Sequence, residues 1–494
     1  MGMLVLLLVT LTAAAQDVPL RNCRRGTLRA NGVLTRSAFM DDRQPGGDFY
    51  VGDRRQLVVL AAFRDRPLAD APDAALQQWG KVFNAENYSE GSFVGSVHDY
   101  FFDQSYGLFN LAFDIYYVSL PDSCRKYRST NIDDENSQFL VSDIVDDLLT
   151  RDINWSLYDW NGDGRVNQLL IVYAGKGMND GGGNNSIWPH QWWLSSHVNP
   201  ATKQYCEPRS VSYGNRQYLV DCYCAVPERS GSSSSTTFGT ICHEYTHCFG
   251  FPDFYYGNTQ YVGRWDLMDY GNYNGNGYCP AAYSAHERWL MGWLTPVELT
   301  SATTVSQMPS LSDQPQAYLI RNDGYADEYY IVENRQQTGW DAHLPGSGLV
   351  VFHIDFDPSL WTSVFEPVNH PTYVEEGTVY PAISRYTIFA ASNQSSSGRA
   401  STWAYPYFGK DSLTNNSLPA STLIHANLDG TKLMSKPVTR MAVTDSLASF
   451  EFMQPSHTAV SAHRKPQGEG SVLYDFGPIR FVRLSDGTVR KTLK

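Results

Sequence analysis

Long apolar runs are missing from this 494-residue chain. A membrane-crossing helix needs about 20 consecutive apolar residues, and the longest stretch, MGMLVLLLVTLTAAA at residues 1–15, is shorter than that. No membrane span is expected. Basic charge is scarce too, with 38 Lys and Arg against 51 Asp and Glu and a net charge of −13. Such an acidic chain is poorly suited to general binding of nucleic acid or anionic membranes, and neither partner class is expected. Cysteine is limited to eight residues, and none of their spacings matches a zinc finger. Aromatic residues, in contrast, are plentiful: 31 Tyr and 23 Phe in a chain that is 42% hydrophobic supply large cores. Two or three packed units follow from that length.

Residues 1–15 end in small residues, with Ala13 and Ala15 placed for cleavage before Gln16. This is read as a signal peptide, and the chain as secreted or attached at the cell surface. Residues 16–55 hold few large apolar side chains and suit a propeptide or N-terminal extension. Arg24-Arg25 and Arg54-Arg55 are candidate sites for trypsin-like cleavage in a zymogen. Cys23, Asp41 and Asp42 are candidates to block a metal centre before activation, a disulfide or plain thiol being the alternative for Cys23. Cys206 with Cys222 or Cys224 would close a short loop, and Cys242, Cys248 and Cys279 group near the motif described below.

From Gln56 onward strands and helices interleave. QLVVLAAF at 56–63 reads as a strand, residues 92–118 as a helix leading into a strand, and residues 142–152 as an amphipathic helix. Strand patterns follow at 167–175 and 217–226, so this part is mixed α/β. Between helix and strand lies DWNGDGRVNQ. Asp159, Asn161 and Asp163 at alternating positions, with Gly164 for the turn and the Arg165 carbonyl, resemble the first half of a calcium loop. Leu170 stands where a full EF-hand places its bidentate acid, so a Ca²⁺ site and a plain Asx-rich turn both fit. His190, among aromatics, reads as structural.

The most informative stretch is HEYTHCFGFPD, His243 to Asp253. His243 and His247 lie four apart on one face of a helix, where both imidazoles can reach one Zn²⁺. Glu244 is placed to take a proton from the attacking water. Phe238, Ile241, Cys242, Tyr245, Cys248 and Phe249 recur at helical spacing and form a separate buried face. Thr236 or Thr237 can cap the helix, and Gly250 can end it in the left-handed conformation. Asp253 is the favoured third zinc ligand; Glu287 or His286, on the helix read in AAYSAHERWLMGWL, is the alternative.

HExxHxxGxxD followed by WDLMDYG at Trp265 to Gly271 resembles the metzincin arrangement, and in particular the immune inhibitor A-like secreted zinc metalloproteases. The resemblance extends over roughly residues 56–455. It implies a zinc endopeptidase in which Met268 forms a Met-turn under the metal, with Tyr270 two residues later. A phenol there can hydrogen-bond the oxyanion of a tetrahedral intermediate, or it can simply pack locally. The fold it implies is an α/β (α+β) metzincin-like catalytic domain carrying an active-site zinc helix, followed by a β-rich C-terminal region. We accordingly divide the chain into a signal peptide (1–15), an extension (16–55), a catalytic domain (56–300), a β-rich region packed on it (301–455), and a linker with a C-terminal tail (456–494). Within the β-rich region the strand holding His353 and Asp355 reads as structural. Protein or peptide substrates and a monomeric chain are expected. The competing function is a catalytically silent secreted adhesin or binding protein on a protease fold, against which the intact Glu244 argues. An exposed edge strand for the substrate is expected at 217–226.

Overall fold

The computed structural model describes residues 50–128, 136–361, 367–375, 378–455, 471–476, 479–483 and 489–493. The signal peptide at 1–15, Cys23, Arg24, Arg25, Asp41 and Asp42 of the extension, and most of the linker lie outside the described residues. Two compact units are present, Met1–Met453 and Gln454–Lys494.

The first unit is built on a five-stranded sheet. Its order is Phe109–Ser119, Gly52–Ala62, Leu169–Lys176, Cys222–Arg229 and His190–Trp193. The first four run parallel and the last is antiparallel. Parallel neighbours need crossover connections, and the sequence between them supplies helices. Pro72–Asn84 and Val97–Gln104 link the first pair, the latter opened by a capping box between Ser96 and Asp99. Ser137–Leu148 precedes the third strand. Because helices cover the sheet, the inner strands are buried on both faces, and Leu57 to Ala61 and Leu169 to Ala174 are fully inaccessible. This accounts for apolar runs where a half-exposed strand would alternate. The mixed α/β character is as expected from the sequence.

Three local expectations are corrected. The stretch 217–226 is two strands: Arg216–Val220 lies in the middle of a small three-stranded sheet and Cys222–Arg229 in the main one. The break falls at Asp221, whose carboxylate accepts the amide and hydroxyl of Ser195 at 2.8 and 2.9 Å. Neither strand is an edge; the main sheet's edge on this side is His190–Trp193. Arg54-Arg55 lies inside the first strand, and Arg55 donates to Asp114 on the neighbouring one at 2.7 Å. A protease would have to open that strand to cut there. The helix read in residues 281–294 is only Ala285–Leu290. Ser284 and Glu287 cap its start, while Ala282 and Tyr283 donate their amides to Asp341 and Gln104.

Downstream, Tyr386–Ile388, Gly348–Asp355, Tyr325–Arg335, Tyr318–Asn322 and Val297–Glu298 form a second five-stranded sheet in that order. Leu311, Ile331 and Phe352 belong to the same apolar core as Val59 and Ile171. Compact packing therefore runs through residue 300 without a break. His353 Nε2 contacts Glu328 at 2.7 Å, and Asp355 pairs with Arg385 and His425. Glu328 also accepts the amides of Ile424 and His425. These groups tie strands to a loop, in keeping with the structural reading of His353 and Asp355. The second unit contains an antiparallel three-stranded sheet, Ser471–Phe476, Ile479–Arg483 and Val489–Leu493. Among the described residues no helix is long and apolar enough to cross a membrane.

Candidate metal centre

Helix Phe238–Cys248 is buried along nearly its whole length, on the histidine side as well as on the apolar side. Thr237 is its N-cap residue, and the hydroxyl of Thr236 accepts the Phe238 amide at 3.3 Å. Tyr245 donates to Gln56 at 2.8 Å and accepts from Gln168 at 2.9 Å, which ties the helix to the main sheet. Its other side packs against residues 271–277 so closely that a Cβ on Gly239 would stand 1.9 Å from the Asn272 carbonyl oxygen. Gly239→Ala is therefore expected to destabilise the fold by about 1–3 kcal/mol through overpacking. Urea unfolding checks this, and a midpoint equal to that of the unmodified chain would contradict the close approach.

The helix ends at Cys248, and Gly250 has φ of 99°, in the left-handed region that glycine tolerates. The reversed chain returns Asp253 to the histidines. His243 Nε2 and His247 Nε2 each lie 3.2 Å from Asp253 Oδ1, and the two rings are nearly perpendicular. Their other nitrogens are held by backbone: His243 Nδ1 donates to the Leu267 carbonyl at 2.8 Å and His247 Nδ1 to the Phe251 carbonyl at 2.7 Å. With the proton held at Nδ1, each Nε2 presents a lone pair inward. Phe254 donates its amide to the Met268 carbonyl at 2.9 Å, so the turn carrying Asp253 and the turn carrying Met268 brace each other. Met268 itself is fully buried.

Two imidazole lone pairs and a carboxylate converging this closely repel unless a cation or a proton lies among them. Burial lowers the pKa of His243, yet the Asp253 hydrogen bond and the Glu244 and Asp253 charges outweigh it and raise it to about 9. Burial raises that of Asp253, and the two histidines, His247 foremost, pull it well below the usual carboxylate range. The environment thus favours positive charge among these atoms. An N₂O donor set with its outer hydrogen bonds in place fits a divalent metal ion. Among the described residues, His243, His247 and Asp253 are the group whose ligand atoms converge in this way.

The alternative third ligands lie elsewhere. His286 is enclosed by Trp289, Tyr329, Phe356, Trp361 and Tyr386, and burial pushes its pKa down to about 3. Glu287 caps its own helix through Ser284.

Glu244 is buried next to His243, and both border a cavity of about 230 Å³. Tyr270 borders it too, packed edge-on against Tyr255 at 5.7 Å. Burial raises the Tyr270 pKa, keeping the phenol protonated as a donor. Sequence reasoning missed the remaining wall, notably Asn179, Trp188, Asp269, Asn272 and Tyr273. Asp269 and Tyr273 flank Tyr270 in the sequence, but no spacing rule marks them; Asn179 and Trp188 arrive from a distant loop.

The other candidate residues stand apart. In the 159–165 turn, Asp159 accepts the amides of Asp163 and Gly164 at 3.1 and 3.0 Å, and Asp163 accepts that of Arg165 at 2.8 Å. Asn161 Nδ2 donates to Asp163 at 3.0 Å. These contacts are those of an Asx-rich turn, and nothing in them supports calcium. His190 bonds Tyr223 and the Trp188 carbonyl, a structural role. The thiols of Cys222 and Cys224 both face Cys248, whereas Cys279 donates to the Trp340 carbonyl at 3.3 Å.

Comparison with known proteins adds two findings. Residues 76–292 match the family described as "Immune inhibitor A peptidase M6, catalytic domain". That segment holds the helix, the Asp253 turn and Tyr270. A curated relative, Immune inhibitor A of Bacillus thuringiensis subsp. alesti, is 25% identical over 286 residues, covering 48% of this chain and 40% of the relative. The chain thus matches less than half of that relative's length.

Proposed function

We propose, for a chain whose residues 76–292 are an immune inhibitor A-like metallopeptidase segment, that it is a secreted zinc-dependent endopeptidase of metzincin-like build. One observation carries this reading: two histidine Nε2 atoms converge on Asp253 Oδ1 at 3.2 Å, beside a buried glutamate on a cavity wall. His243, His247 and Asp253 would hold the metal. When bound there, zinc supplies Lewis acidity that acidifies a water and polarises a peptide carbonyl. Glu244 accepts the proton of the attacking water and then delivers it to the leaving amine, so that the peptide bond is replaced by a carboxylate and a free amino group. Tyr270 donates to the carbonyl oxygen as it becomes an oxyanion. Met268 supports the site from beneath.

His190–Trp193, the last strand of the main sheet on this side, is buried, so a peptide would enter through the cavity bordered by Trp188 and Pro189 rather than pair with that strand. Residues 56–300 would carry the chemistry and 301–455 buttress it, in a monomer delivered through its signal peptide.

Tyr270→Phe is expected to lower kcat about 10²-fold with little change in KM, since the hydroxyl acts mainly on the transition state. Steady-state hydrolysis of a quenched peptide reads both constants. The reading as a whole is tested by casein cleavage with the purified chain, before and after limited trypsin nicking. Cleavage that a chelator stops and added Zn²⁺ restores is the expected result. Tight zinc binding with no cleavage in either state would instead support the catalytically silent binding protein.

A further inference from the structure

Three thiols meet where the helix that carries the histidines packs on the main sheet. Cys222 and Cys224 stand two apart on strand Cys222–Arg229, so both side chains project from one face of it. Helix Phe238–Cys248 packs against that strand, and its last residue, Cys248, holds its thiol in hydrogen-bonding contact with both. Cys248 directly follows His247, yet the proposed hydrolysis uses none of these sulfurs.

The three positions differ in access and in reach. Cys224 is fully buried and Cys248 is 5% exposed, whereas Cys222 is only half-buried. Gln191 Nε2 donates to Cys222 Sγ at 3.4 Å, a bond that a disulfide sulfur can accept as well as a thiol. Residues two apart on an extended strand have Cα atoms about 6.6 Å from each other, near the upper limit for a bridge, which disfavours pairing Cys222 with Cys224. Cys248 approaches from the helix and is free of that restriction.

We propose that Cys222 and Cys248 form a disulfide that staples the end of the metal-bearing helix to the main sheet, with Cys224 left as a thiol beside it. The co-reactant is a small disulfide such as oxidised glutathione. The Cys222 thiolate attacks one of its sulfurs, releasing one glutathione and leaving a mixed disulfide, and the Cys248 thiolate then attacks Cys222 Sγ and expels the second. One S–S bond forms as one breaks, two electrons pass to the co-reactant, and the two cysteine protons end on the two released thiols. Exchange precedes the sealing of the helix onto the strand, because Cys248 is buried afterwards. The oxidising compartment that this needs rests on the secreted location proposed above. The bridge closes a loop that contains the Ser-rich stretch 230–236 together with His243, Glu244 and His247, and so restrains the segment that carries the candidate chemistry.

Peptide mapping tests the pairing directly. The full chain, secreted through an oxidising compartment and held in oxidised glutathione, is alkylated and digested without reductant by chymotrypsin, which can cut after Tyr223 between the two neighbouring cysteines. A linked pair of peptides joining Cys222 to Cys248, with Cys224 alkylated, is the expected result. Alkylation of both Cys222 and Cys248, or a link from either of them to Cys224 or Cys206, overturns the staple. In Cys222→Ser the urea midpoint should fall below that of the oxidised parent, and hydrogen exchange over residues 238–248 should quicken about tenfold. A midpoint and exchange equal to those of the oxidised parent also overturn it. Mapping of the parent decides the matter even if Cys222→Ser fails to fold, and both readouts hold whether or not the chain cleaves peptides.

Discussion

Glu244→Gln is expected to lower kcat for peptide hydrolysis by about 10³-fold or more while leaving the metal content unchanged. The two side chains are nearly the same size, so the closely packed helix that carries residue 244 should keep its place. What is lost is the ability to take up a proton. Glu244 does not belong to the converging group of His243, His247 and Asp253, which is why metal and activity should separate in this variant. Its position on the cavity wall, next to His243, puts it where the attacking water and the leaving amine would lie. Kinetics on a quenched peptide, together with elemental analysis of the purified variant, provide the check. Residual activity within tenfold of the parent would remove Glu244 from the role of base, and loss of metal would make it a ligand.

The largest expected effect on stability lies away from the cavity, at Arg335. Its guanidinium is completely buried and donates to Glu333 Oε1 at 3.0 Å, to Asp341 through Nε and Nη2 at 2.7 Å each, and to the Ala282 carbonyl at 3.1 Å. The carboxylates in turn accept the amides of Ala285 and Ala282. One charged knot thus fastens the second sheet to the segment that leads into helix Ala285–Leu290. Arg335→Met would leave the buried carboxylates of Glu333 and Asp341 without the guanidinium that bonds both, a loss of about 3–5 kcal/mol. Urea unfolding should show a correspondingly lower midpoint. Adding Glu333→Gln and Asp341→Asn to Arg335→Met should recover part of the loss, because the cost lies in uncompensated charge. A midpoint unchanged by Arg335→Met would mean that water reaches and solvates this group.

The local pattern of residues determined much of this protein. Apolar runs at 56–63 and 167–175 became central strands because an apolar run of strand length is stable only where both faces are covered. Helical spacing put His243 and His247 on one face, and glycine at 250 allowed the turn that carries Asp253 back. Those features depend on residues within about ten positions of one another. Tertiary structure decided the rest. Asp221 divides an apparently continuous strand between two sheets because its partner, Ser195, belongs to a different loop. The edge of the main sheet falls at His190–Trp193 since strand order depends on how distant segments pair. The cavity wall draws Asn179 and Trp188 to Asp269 and Asn272 from segments some 80 to 90 positions apart. Arg335 meets Ala282 for the same reason. Periodicity and turn chemistry act along the chain, whereas burial and charge compensation act through space, and only the folded chain brings those distant partners together.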